Sequence, residues 1–109
     1  MRILDYRDRP LASRIHAADD LRDVQSALTG SDDLVVDLGT NLATTSWVDG
    51  FLVPVARTLG SAAVIAIVSD SEVTRSHVMR VFTSRGLRAR IARTRAEALD
   101  GHFDLLPSA

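Results

Sequence analysis

The sequence predicts an α/β domain built on a largely parallel sheet. Short apolar, β-branched runs alternate with stretches of helical periodicity, and each connection is long enough for a helical crossover. Size points the same way, since 109 residues bury one core and not two, so positions 1–109 are expected to form a single domain.

Residues 2–6 read as a short edge strand closed off by Arg9-Pro10. Over 11–28, Leu11, Ile15, Ala18, Leu21, Val24 and Leu28 fall on one helical stripe, and Thr29-Gly30-Ser31 supplies the stop. Residues 34–38 (LVVDL) are almost continuously apolar, as in a strand buried on both faces. A polar loop over 39–45 leads to a helix over 46–59, with Ser46 as N-cap and Asp49 in the capping-box position. Pro54 removes a hydrogen bond inside that helix, at about 3 kcal/mol, so a bend is expected there.

The run 62–69 (AAVIAIVS) reads as the central strand. Ser69-Asp70-Ser71 then caps a helix with Glu72 in its first turn, a stripe of Val73, His77, Val78, Val81 and Phe82, and a stop at Gly86. Leu87, Ala89 and Ile91 alternate with Arg88 and Arg90, the pattern of a half-buried strand. Thr94 and Glu97 form a second capping box, opening a short helix to Leu99. After Gly101, the tail carries Phe103, Leu105, Leu106 and Pro107.

Composition excludes several classes of function. A net charge of -1 gives no overall attraction to nucleic acid or anionic membrane. The absence of cysteine removes disulfides, thiol catalysis and thiolate metal sites. The start, MRILDYRDRP, lacks the apolar stretch of a signal peptide, and the longest apolar run, 62–68, is far short of a bilayer span. A cytoplasmic protein without a membrane segment is expected. All 13 basic residues are arginine, which fits either a GC-rich coding sequence or use of arginine's bidentate fork at an interface.

No catalytic signature emerges. Gly39 is the only glycine between Leu34 and Asp49, so no phosphate-cradling loop follows that strand. His16, His77 and His102 sit on separate elements without metal-ligand spacing. No base and nucleophile can be paired, so neither catalysis, metal nor cofactor is expected. Asp19, Asp20 and Asp23 read as a solvated helix face, and Asp32-Asp33 as a turn. Asp37 differs, because it ends a buried strand where parallel sheets place ligand and partner sites; it either accepts loop N–H groups or serves such a site. Arg85, Arg88, Arg90, Arg93 and Arg95 make a local basic run, with Arg88 and Arg90 on one strand face. Without interleaved aromatics it suits an exposed edge strand better than nucleic acid.

The segment Thr44-Thr45-Ser46-Trp47-Val48-Asp49-Gly50-Phe51-Leu52 is the most distinctive in the chain. Three hydroxyls open a helix, followed at once by the sole tryptophan. Ser46 is either a plain N-cap or, with Thr45, a phosphorylation site favoured by the helix dipole. Trp47 and Phe51 share one helical face, an interface anchor if exposed and core if buried.

These residues resemble the STAS domains, the family of anti-sigma factor antagonists, and still more the bacterial STAS-like domains of unknown function. The match rests on Leu34-Val35-Val36-Asp37-Leu38, a loop, and the 44–52 segment, together with Leu11-Ala12-Ser13-Arg14 opening the first helix. It covers about residues 1–100. Counted from Asp37, Ser46 falls on the phosphorylated position of the family; Thr45 and Val48 depart from its pattern, whereas Gly50 and Leu52 match. The resemblance implies a mixed, mostly parallel sheet of about four strands with helices mainly on one face, and a first strand that runs antiparallel. It also implies a non-enzymatic module that docks a kinase or anti-sigma-type ATPase through Asp37, Thr44, Trp47, Asp49, Gly50 and Phe51, together with the Asp70–His77 helix, switched by phosphate on Ser46. The alternative is a small-ligand or nucleotide sensor with its site at Asp37, Asn41 and Thr44, within the 37–46 loop.

Overall fold

The computed structural model describes residues 2–25, 33–59, 65–88, 90–99 and 104–105. The expectations for Leu28, residues 29–32 and 62–64, Ala89, His102, Phe103, Leu106 and Pro107 lie outside that set. Strands β1 (Arg2–Asp5), β2 (Leu34–Gly39), β3 (Ile65–Ser69) and β4 (Arg90–Ala92) lie side by side in chain order, all parallel. A short β5 (Asp104–Leu105) pairs antiparallel with β4.

The sheet is therefore mixed and mostly parallel, with two corrections to the sequence reading. β1 runs parallel to β2, and the Tyr6 N–H extends that ladder to the Asp37 carbonyl at 2.9 Å. β4 is not an edge strand, because the tail supplies β5 beyond it. Strands that always step in the same direction send their right-handed crossovers over the same face. Accordingly, Leu34, Val36, Leu38, Ile65, Ile67 and Ile91 face one core shared with helices α1 (Arg14–Gln25) and α4 (Glu72–Ser84) and with the helix between β2 and β3. On the opposite face, Val35, Ala66, Val68 and Ala92 pack with Ala98 of α5 (Arg95–Leu99). Among the described residues, no helix is long and apolar enough to cross a membrane.

The helix between β2 and β3 starts as α2 (Thr45–Trp47), widens into a π turn (Val48–Leu52) and resumes as α3 (Val53–Leu59). This is the form taken by the bend expected at Pro54. Proline has no N–H and its ring crowds the carbonyl four residues back. The π turn directly before it, where the Val53 N–H reaches the Val48 carbonyl, shifts the ladder by one residue. A second cause is Gly50. A Cβ there would stand 2.8 Å from the Ala17 Cβ, so α1 and the π turn approach to near backbone contact. Neither atom can swing away, being rigidly attached to its helix. Gly50→Ala is expected to cost about 1–3 kcal/mol in overpacking, less about 1 kcal/mol of regained helix propensity. A double-mutant cycle with Ala17→Gly, read by chemical denaturation, should return a coupling that relieves part of that loss.

The same approach reorganises α1. Among the side chains described in it, Ala17, Asp20 and Val24 are buried and Leu21 is half-buried, whereas Ile15 and Ala18 of the expected stripe face solvent. Leu11 lies before the helix, in a parallel bridge to Ala43. In α4, Ser71 caps as expected, accepting from the Thr74 N–H at 3.2 Å, and Val78, Val81 and Phe82 are buried. Thr74 takes the inward position expected for Val73, which points outward. The helix ends in the paired bonds Leu87 N–H to Phe82 (2.9 Å) and Gly86 N–H to Thr83 (3.2 Å). Thr94 caps α5 by accepting from the Glu97 N–H at 3.2 Å, and Glu97 reaches back to the Arg93 N–H rather than to that of Thr94.

Candidate functional site at the carboxyl edge of the sheet

Four parallel strands deliver their following loops to one edge: residues 6–13 after β1, 40–44 after β2 and 70–71 after β3, with Arg93 and Thr94 after β4. The β2 loop is pinned from both sides. The Asn41 side-chain amide donates to the Tyr6 carbonyl at 3.0 Å and also to the Arg9 carbonyl. From α4, the buried Thr74 hydroxyl accepts the Ala43 N–H (3.1 Å) and donates to the Asn41 carbonyl (3.0 Å). His77 Nδ1 donates to the Ala43 carbonyl at 2.8 Å, which leaves its Nε2 as the other ring nitrogen. The Thr44 N–H donates to the Leu11 carbonyl at 3.0 Å.

This pinning decides the helix start. Thr44, not Ser46, is the N-cap, its hydroxyl accepting from the Trp47 N–H at 3.2 Å. Ser46 and Thr45 lie in the first turn and are half-buried. The Ser46 hydroxyl makes no hydrogen bond among the described residues.

Asp37 is 3% exposed and faces the side of the sheet opposite the main helical layer, as Val35 does. It accepts the Gly39 N–H at 2.9 Å and Arg95 Nε at 2.9 Å, while Arg7 approaches to 4.0 Å. Gly39 has φ 56°, and a Cβ there would meet the Arg7 stem at 2.8 Å, so the turn that aims its N–H at Asp37 requires glycine. Arg7 clamps Asp5 through Nε (2.9 Å) and Nη2 (2.7 Å), which holds the Asp5 carboxyl well below the usual range. Two carboxylates and two guanidinium groups thus neutralise one another. The polar groups expected to converge on a small ligand, Asp37, Asn41 and Thr44, all have partners within the chain.

Trp47 and Phe51 are fully buried, which removes them as surface anchors. Trp47 stacks on Phe51 with centroids 4.9 Å apart, and Tyr6 meets both rings edge-on at 5.9 and 5.2 Å. The indole Nε1 donates to the buried Asp20 at 3.0 Å, and Arg9 closes the other Asp20 oxygen at 3.1 Å while lying over the Tyr6 ring. Asp20, read from sequence as solvated, is the acceptor that lets the indole sit inside. Burial pushes the Tyr6 hydroxyl up to about 12, with the Asp20 charge adding to it. Tyr6 is the sole tyrosine, so tyrosinate absorbance should rise near pH 12 in the native protein and near pH 10 in denaturant. Because the folded value is the higher, its contribution to stability is whole below about pH 10 and disappears as pH rises through 12.

Asp49 joins three elements. It accepts Arg85 at the end of α4 through Nε and Nη2, both at 2.9 Å, and Arg14 at the start of α1 at 2.8 Å. Arg85, then Arg14, hold its carboxyl below the ordinary value. Arg85 and Arg95 of the basic run are therefore engaged in ion pairs, while Arg88 and Arg93 remain exposed. Asp49→Asn is expected to cost about 1 kcal/mol at neutral pH, since both arginines are partly exposed and screened. The depressed carboxyl contributes fully above the unfolded value near pH 4 and loses its contribution as pH falls below that. Denaturation midpoints of wild type and Asp49→Asn should converge there.

Large apolar side chains at this edge are exposed. Ile15 in the first turn of α1 is 75% exposed, Leu42 in the β2 loop 63%, and Val73 in the first turn of α4 54%. Periodicity put Ile15 and Val73 on buried stripes, whereas Ala17 and Thr74 take the inward positions; Leu42 lies in a loop, where there is no period to read. Among the described residues, no group of three His, Cys, Asp or Glu is placed to hold a metal ion. Compared with protein-family models, curated proteins and solved structures, the chain has no match.

Proposed function

We propose that the chain is a regulatory docking module of the STAS type. It receives a kinase or anti-sigma-type ATPase at the carboxyl edge of its sheet, and phosphorylation of Ser46 switches that contact. One observation carries the reading: a serine hydroxyl without a partner among the described residues lies in the first turn of a helix, at the edge that also exposes Ile15 and Leu42. Thr45 beside it is the second acceptor candidate. The rigid loop around Asn41, Ala43 and Thr44 supports the reading, because a preorganised surface loses little entropy on docking. Asp37, Trp47 and Phe51 then act beneath the surface, as the frame that holds it, and Gly50 seats that frame against Ala17. A partner that uses nucleoside triphosphate suits the cytoplasm, which is the proposed compartment.

The test is affinity capture from the source cell with wild type, Ser46→Ala and Ser46→Asp as baits. An ATPase of kinase type held by wild type and Ser46→Ala and lost by Ser46→Asp supports the switch. Loss through unfolding is not expected, since a carboxylate in the first turn stabilises a helix by about 0.3–1 kcal/mol. The same proteins on all three baits, with no phosphate on Thr44, Thr45 or Ser46 of the wild type, overturns it.

A further inference from the structure

We propose that Arg14 is the intramolecular receiver for a phosphate on Ser46; this rests on the phosphorylation reading above and adds how the chain itself responds. The placement follows from register. Leu11 and Ala43 form a parallel bridge, so the chains entering α1 and α2 run side by side in the same direction. Three residues beyond that bridge stand Arg14 on one chain and Ser46 on the other. One turn further on, Ala17 and Gly50 meet in the closest helix contact described above. Ser46 shares the face of Gly50 at four residues' spacing, and Arg14 that of Ala17 at three. The two side chains therefore start from the same level of adjacent helices.

Charge favours the same pairing. Asp49 contributes one negative charge and Arg14 and Arg85 two positive ones, leaving this cluster with a net surplus of one. Arg85 is held by two bonds to Asp49, but Arg14 by one, from Nη2, and its side chain is 64% exposed. Its Nε and Nη1 have no acceptor among the described residues. A guanidinium with free donors on a long stem is the group that pairs bidentately with phosphate.

In the modification, a kinase transfers the γ-phosphoryl group of a nucleoside triphosphate to the Ser46 oxygen. The bond to the β-phosphate oxygen breaks, the nucleoside diphosphate leaves, and the hydroxyl proton passes to the kinase's base. Arg14 then turns from Asp49 to the phosphate while Arg85 keeps the Asp49 carboxylate paired. The phosphate becomes a fixed, partly neutralised feature next to Ile15, rather than a free charge repelled by Asp49.

The test installs phosphoserine at position 46 during translation and follows the phosphate by ³¹P NMR as pH is varied. Its second ionisation, ordinarily near pH 6, is expected to fall by about half a unit to one unit, a three- to tenfold stronger acid. Arg14→Gln should abolish that shift and Arg85→Gln should leave most of it. Arg14→Gln removes one exposed group and leaves Asp49 paired, and an unchanged thermal transition without phosphate checks that it folds. An unshifted phosphate, or a shift abolished only by Arg85→Gln, overturns the assignment. Because the phosphate is installed without a kinase and read without a partner, failure of the docking reading leaves this result intact, and the reverse holds too.

Discussion

Trp47→Ala is expected to lower the unfolding free energy by about 3–5 kcal/mol, much of what a small domain possesses. The indole is fully buried, stacks on Phe51 and meets Tyr6 edge-on, so its loss opens a cavity that the rigid strands and helices around it cannot fill. It also strips Asp20 of the indole donor and leaves it with Arg9. Trp47→Phe separates the two contributions. It keeps an aromatic ring and gives up the Nε1 bond, for an expected loss of about 1–3 kcal/mol. Guanidinium denaturation followed by far-UV circular dichroism measures both, since the fluorescent reporter is the residue removed. A docking anchor on the surface would instead leave stability within about 0.5 kcal/mol of wild type. That outcome would show the tryptophan outside the core.

Asp37→Ala is expected to cost about 2–3 kcal/mol. Three consequences add up: the Gly39 N–H loses its acceptor in a left-handed turn, Arg95 loses its 2.9 Å partner, and α5 loses its tie to the carboxyl end of β2. Arg95 keeps Asp5 at 3.6 Å and is partly exposed, which limits the loss compared with a fully buried pair. Asp37→Asn should recover part of it, because an amide oxygen can still accept from Gly39. If Asp37 were instead held for a ligand, its contacts within the chain would not offset the desolvation of its carboxylate, and removal of the charge would relieve that cost. Stability would then rise, as commonly happens when a site residue is neutralised. Thermal denaturation of the two variants at neutral pH distinguishes these outcomes.

Much of the fold is legible in the sequence because its signals are local. The strands β2 and β3 announce themselves by apolar runs, since a strand covered on both faces has no polar side to show. The caps at Ser71 and Thr94 follow from a hydroxyl three residues before the N–H it accepts, a relation inside one turn. The candidate site was legible in outline, as the 44–52 segment following the carboxyl end of β2. Its inner organisation was not. Thr44 and Ser46 both carry a capping hydroxyl, serine being the better cap by residue type, and the choice of Thr44 rests on Thr74, His77 and Leu11, which hold the loop in place from other elements.

By itself, then, the sequence determined an α/β domain with a mostly parallel sheet, its buried strands and a hydroxyl-rich helix start at its carboxyl edge. Only the tertiary structure decided which face of each helix is inward. Asp20 is buried because a tryptophan 27 residues later brings it a donor. Ile15 is exposed because Ala17, the smaller residue, is what fits against Gly50. A helix read alone shows where apolar residues repeat. The backbone separation from its neighbour then selects among them, and that separation is a property of two segments together.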